Sequence, residues 1–162
     1  MSSPVAIIAG NGSLPILLVQ AMQFIGRPFH VIAIDGEALD LPDHISVERL
    51  GWGQIGALWG LLSDWKIGDV VLAGGVTQRP DYRSIRPDLG TLLTLPEILA
   101  TLVGGDDHVL RGVARIFEKR GYHLVGAHEL LPELLAGEGI LGRVHPSVAA
   151  HNDLEDAFRI AK

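Results

Sequence analysis

A chain of 162 residues, 48% of them hydrophobic, with 20 glycines and 9 prolines, is large enough for one domain with a core and too apolar to be disordered. Its net charge of −6 argues against a nucleic-acid groove built from a basic surface, and the absence of cysteine excludes disulfides and thiolate metal sites. No apolar run approaches the roughly 18–20 residues that span a bilayer, and the N-terminus lacks the basic region and cleavage site of a signal peptide.

The chain opens on an apolar run, Val5 to Ala9, that reads as a buried strand. Gly10-Asn11-Gly12-Ser13 follows as a tight turn. Ser13 is placed to cap a helix and Pro15 to sit in its first turn, where a missing N–H costs nothing. Leu14, Leu17, Leu18, Ala21 and Ile25 give that helix one apolar face. A strand, a glycine turn and a helix N-terminus together form an anion cradle, because the first amides of the helix lack partners and its dipole favours negative charge. The turn departs from the dinucleotide fingerprint G-x-G-x-x-G at Pro15. A tight turn without ligand remains the bland alternative.

Gly26 ends the helix, and Phe29 to Ile34 is the second strand. Asp35 closes it, where a ribose-binding carboxylate would sit. Residues 36–44 form a polar loop, and Ile45 to Leu50 reads as a short strand. Gly51-Trp52-Gly53 is a turn. Gln54 to Trp65 reads as a helix with Ile55, Leu58, Trp59 and Leu62 on one side, and Val70 to Ala73 as the next buried strand. Strands separated by helices at this spacing predict a parallel sheet with covering helices.

A second glycine turn, Gly74-Gly75-Val76-Thr77-Gln78-Arg79-Pro80-Asp81, follows this strand, so it is expected on the same carboxyl edge as the first. Arg79 offers a planar fork for phosphate, although an ordinary loop with a surface arginine reads as well. Residues 82–94 look irregular, with a helix from Pro96 to Val103. After Gly104-Gly105 comes an amphipathic helix whose buried stripe is Leu110, Val113, Ala114 and Phe117, capped by Gly121. Asp106 and Asp107 at its start read either as a capping carboxylate or as a metal or substrate ligand. Tyr122 to Val125 is the last strand, and Gly126-Ala127-His128-Glu129 opens a short helix through Leu135. Neighbours on a helix diverge by about 100°, so His128 and Glu129 are no same-face metal pair. Glycine-rich coil from Gly137 to Pro146 precedes a final helix, Asp153 to Lys162, capped by Asn152. It looks cut off in mid-element, at a domain junction. The seven histidines show no ligand spacing, and neither a nucleophile elbow nor a Walker lysine is present.

Four motifs stand in one order: Ile8-Ala9-Gly10-Asn11-Gly12-Ser13-Leu14-Pro15, Gly74-Gly75-Val76 with Arg79-Pro80-Asp81, Gly105-Asp106-Asp107 with Leu110-Arg111, and Gly126-Ala127-His128-Glu129. In this the chain resembles, over nearly its whole length, the N-terminal half of the UDP-2,3-diacylglucosamine pyrophosphatase family of lipid A biosynthesis, the metal-dependent type found in alphaproteobacteria. The resemblance implies an α/β fold: a Rossmann-like, mostly parallel sheet with helices on both faces, plus C-terminal helical segments. It implies a substrate-binding domain over residues 1–135, then a linker and junction helix over 136–162 leading to a catalytic domain beyond this chain. The implied enzyme is cytoplasmic and hydrolyses UDP-2,3-diacylglucosamine to UMP and 2,3-diacylglucosamine 1-phosphate, the piece alone being inactive. A homodimer and a peripheral contact with the inner membrane are compatible with it.

On this reading Gly10, Asn11, Gly12, Ser13, Gly74, Gly75, Arg79 and Asp81 hold the substrate. Asp106, Asp107 and Glu129 are the candidate catalytic carboxylates, and Asp107 is a ligand for Mg²⁺ or Mn²⁺. The rival expectation is a nucleotide-binding (NAD-like) or interaction module without hydrolysis.

Overall fold

The computed structural model describes residues 3–77, 85–101, 106–137, 139 and 142–161. Contacts divide the chain into two compact units, Met1–Pro132 and Glu133–Lys162.

The first unit is built on β1 (Val5–Ala9), β2 (Phe29–Ile34), β3 (Val47–Leu50), β4 (Asp69–Ala73) and β5 (His123–Leu124). They form one wholly parallel sheet in the order β3-β2-β1-β4-β5. Side chains alternate across the sheet. Val5, Ile7 and Ala9 therefore face α1 (Leu14–Ile25) and meet Leu18, Val19 and Met22. Ala6 and Ile32 face the other way, onto Leu62 of α2 (Ile55–Asp64) and Phe117 of α4 (Asp106–Glu118). Each such side chain contributes roughly 1.5–3 kcal/mol on burial. α3 (Leu89–Thr101) packs on α2 and α4, and α5 (Ala127–Leu130) lies against the α1 side of the sheet.

The α/β reading and the central strands hold, and several boundaries move. α1 buries Pro15, Leu18, Val19 and Met22, leaving Leu17 and Ile25 exposed although both were expected on its inner face. β3 begins at Val47, and β5 has only two residues. α3 starts at Leu89 rather than near Pro96, because Asp88 caps it: its Oδ1 accepts the Thr91 N–H at 2.7 Å. In α4 the buried positions are Gly112, Ile116 and Phe117, whereas Leu110 is exposed. Gly121 does end that helix, with φ 84° and bonds from its own and the Tyr122 N–H back to Glu118 and Phe117.

The second unit carries α6 (Val148–Ala161), which starts earlier than Asn152 suggests because Ser147 Oγ accepts the Ala150 N–H. No helix among the described residues is long and apolar enough to cross a membrane.

Candidate functional site

From β1 the chain winds outward to β2 and β3, then returns across the sheet to β4. The crevice between the carboxyl ends of β1 and β4 is therefore a topological switch point, where open α/β sheets bind ligands. Both glycine turns lie there, and they pair with each other. Gly10 N–H donates to Ala73 O at 2.8 Å. Asn11 N–H donates to Gly75 O at 2.8 Å, and Gly75 N–H returns a bond to Asn11 O at 3.0 Å. A Cβ on Gly10 would lie 2.2 Å from Gly75 O, and one on Gly74 would lie 2.3 Å from Asn11 O, at a φ of +85°. Those two glycines are required by the close approach of the turns.

The pairing narrows the anion cradle. The Asn11 and Gly75 amides are used by each other, so neither is free for an anion. The Gly12 and Ser13 amides have no partner among the described residues, and both residues are exposed. Ser13 stands at the N-cap of α1 but in helical conformation (φ −82°, ψ −23°), and its hydroxyl makes no cap bond. The expected Ser13 cap is thus absent, and its hydroxyl joins the two amides as a donor at a helix N-terminus, with Pro15 adding none.

A buried carboxylate braces the second turn. Glu37, 5% exposed, accepts the Thr77 N–H and the Thr77 hydroxyl, both at 2.9 Å. Asn11 Nδ2 donates to Thr77 Oγ1 at 2.9 Å. Asn11, Thr77 and Glu37 thus tie the first turn, the second turn and the loop after β2 together. Sequence reasoning left Glu37 in a polar loop; its proximity to the end of β2 was the one available signal.

On the α2 face, the sheet and α2 line an open-sided apolar cavity of about 210 Å³, with Ile8, Ile32, Leu50, Trp52 and Leu58 among its walls. Asp35, at the end of β2, is exposed, and its N–H donates to Leu50 O. Asp88 holds the start of α2: its carboxylate accepts the Gly56 and Ala57 amides at 3.0 and 2.9 Å as well as Thr91 N–H.

The remaining candidates divide. Arg79 and Asp81 lie outside the described residues. Asp106 and Asp107 occupy the first two positions of α4, with their side chains outside the described structure. Glu129 Oε1 accepts the Gly126 N–H at 2.7 Å, so it caps its own helix. Among the described residues no three His, Cys, Asp or Glu side chains group into a metal site.

The LpxI N-terminal domain family model matches residues 4–134. A curated relative, the UDP-2,3-diacylglucosamine pyrophosphatase LpxI of Caulobacter vibrioides, is 33% identical over 156 residues, 96% of this chain and 55% of the relative. The chain thus spans about half the length of that relative. A solved short chain dehydrogenase from Leptospira borgpetersenii, with bound NAD+, aligns at a TM-score of 0.40 and 15% identity over 77% of this chain and 50% of that one, too slight an overlap to carry an argument.

Proposed function

The chain belongs to the LpxI N-terminal domain family, and from that premise we propose that it is the nucleotide-holding part of a UDP-2,3-diacylglucosamine pyrophosphatase. The observation that carries this reading is the 33% identity to such an enzyme across nearly the whole chain. The switch-point geometry supports it. A diphosphate needs donors that need not reorganise as charge develops on the leaving oxygen. Gly12 N–H, Ser13 N–H and the Ser13 hydroxyl supply them at the positive end of α1, and the Asn11–Thr77–Glu37 network keeps the turn rigid. Arg79 and Asp81, outside the described residues, stay candidate substrate-binding residues of this reading. Water attacks phosphorus, the bridging P–O bond breaks, and UMP and 2,3-diacylglucosamine 1-phosphate leave.

Mg²⁺ or Mn²⁺ would neutralise diphosphate charge. The described residues do not assemble a site for it, and Glu129, whose Oε1 already accepts the Gly126 N–H, would take part only through its other oxygen. Asp107 is the carboxylate we assign to this role from this chain; no step is routed through the metal. A uridine nucleotide places the reaction in the cytoplasm. Its lipid half fits a peripheral contact with the inner membrane through the exposed leucines of α3, Leu89, Leu92, Leu93 and Leu99. The reading requires no homodimer.

A chimera tests this: the chain replaces the matching part of the Caulobacter relative, and release of UMP from UDP-2,3-diacylglucosamine is measured. The chimera is expected to hydrolyse the substrate and the chain alone to bind UDP without turnover. A folded chimera that releases no UMP, beside an active relative, would refute the reading. Asp35 at the end of β2 keeps one rival, an NAD-like site, which selective binding of NAD over UDP in calorimetry would favour.

A further inference from the structure

We infer that the apolar cavity between the sheet and the first turn of α2 takes the uracil base of the nucleotide, with its ribose at Asp35 and its phosphate at Gly12–Ser13. The inference rests on the reading above that the ligand is a uridine nucleotide, and it assigns the part of the site that recognises it.

Position comes first. Gly10 follows β1, Asp35 follows β2 and Gly51 follows β3, three adjacent strands of one parallel sheet. Adjacent strands lie about 4.8 Å apart, so the three stations span about 10 Å along the carboxyl edge. Phosphate, ribose and base succeed one another over that reach. The floor of the cavity is Ile8, Ile32 and Ile34, and Leu50, Ile55 and Leu58 close its sides. Its volume of about 210 Å³ is below the roughly 300–1,000 Å³ of a pocket that encloses a whole drug-sized ligand, so it accepts one part of a larger molecule.

Polarity selects the part. The Gly51-Trp52-Gly53 turn and Gln54 line the cavity. Gln54 Oε1 accepts the Gly51 N–H at 2.7 Å, which fixes the side chain. Gln54 Nε2, the Trp52 N–H and C=O and the Gly53 N–H have no partner among the described residues. The edge of uracil alternates acceptor, donor and acceptor, and this turn offers both kinds. An acyl chain would use none of them. Trp52, 39% exposed, adds a face on which a base can stack.

The turn is also held before any ligand arrives. Gly53 O accepts the Asp88 N–H at 2.9 Å, and Thr91 Oγ1 accepts the Ile55 N–H at 2.9 Å. Little ordering remains for binding to impose.

The test titrates the chain with UMP, ribose 5-phosphate, AMP and decanoate, and records NOEs from uracil H5 and H6 to isoleucine methyls. UMP is expected to bind at least about tenfold tighter than ribose 5-phosphate and tighter than AMP, with NOEs to Ile8, Ile32 and Ile34. Trp52→Ala is expected to weaken UMP about 5- to 100-fold while leaving ribose 5-phosphate unchanged. Equal affinities for UMP and ribose 5-phosphate, or UMP bound without these NOEs, overturns the pocket and leaves the pyrophosphatase reading standing. Decanoate filling the cavity in place of UMP makes it an acyl site and likewise overturns it. No binding of any uridine nucleotide overturns both. NOEs as expected beside an inactive chimera remove the hydrolase reading and keep the pocket.

Discussion

Asp88 closes the N-terminal ends of two helices with one carboxylate. It accepts Thr91 N–H in α3, and Gly56 and Ala57 N–H in α2, amides that have no intrahelical partner. Partial burial would push its pKa up. Bonds from the Thr91 backbone and hydroxyl, then from Ala57 and Gly56, outweigh that and hold it down at about 2. A carboxylate depressed in the folded state stabilises fully above its unfolded value near 3.8, and that contribution is lost as pH falls towards about 2. At roughly 0.5–2 kcal/mol per cap, Asp88→Ala is expected to lower unfolding stability by about 1–4 kcal/mol at pH 7. In urea titrations the gap between variant and parent should shrink between pH 4 and pH 2. An equal gap at pH 7 and pH 2 would show that the carboxylate's charge is not what caps these helices.

At the scale of elements, α2 and α3 cross where two glycines meet. A Cβ on Gly90 would lie 2.3 Å from Gly56 Cα, a contact between backbones that cannot yield. Gly60, on the exposed side of α2, would meet nothing within 4 Å. Gly90→Ala is therefore expected to destabilise by about 1–3 kcal/mol through overpacking. Gly60→Ala should stabilise by about 0.5–1 kcal/mol through helix propensity. Opposite signs in chemical denaturation check the crossing, and a stabilised Gly90→Ala would contradict it. α3 also explains why its start was misread. It turns Thr91 and Thr94 inward, 8% and 1% exposed, and its leucines outward. Thr94 Oγ1 lies between Gly90 O and the Arg120 guanidinium, so the buried polar atoms are satisfied. Hydrophobic periodicity assumes the reverse, and Pro96 inside the helix pointed to a start there. The runs Val5 to Ala9, Phe29 to Ile34 and Val70 to Ala73 were legible because strands covered on both faces are apolar at nearly every position, His30 being the exception. β5 was overestimated because only His123 and Leu124 pair with β4.

Across the whole molecule, the two glycine turns were readable as a shared edge, since each follows a parallel strand. Their mutual pairing was not, because Asn11 and Thr77 are 66 residues apart and only the sheet order brings them together. Nor does any local pattern show that Glu37 would be buried against Thr77. The same long-range arrangement leaves the leucine stripe of α3 outward, with Leu89 and Leu93 each 76% exposed. A chain of net charge −6 is repelled by anionic lipid as a whole, so the contact proposed above draws on local apolar surface. Burying a leucine is worth roughly 1.5–3 kcal/mol, and two leucines together correspond to at least about a hundredfold in partition. Leu89→Glu with Leu93→Glu is accordingly expected to abolish flotation with phosphatidylethanolamine–phosphatidylglycerol vesicles while leaving unfolding stability within about 0.5 kcal/mol, as surface substitutions do. Added salt separates this from an electrostatic mechanism. Screening weakens the repulsion between an acidic chain and anionic lipid, so flotation of the parent should rise with salt. A fall with salt would mean that a basic patch, and not the leucine stripe, makes the contact.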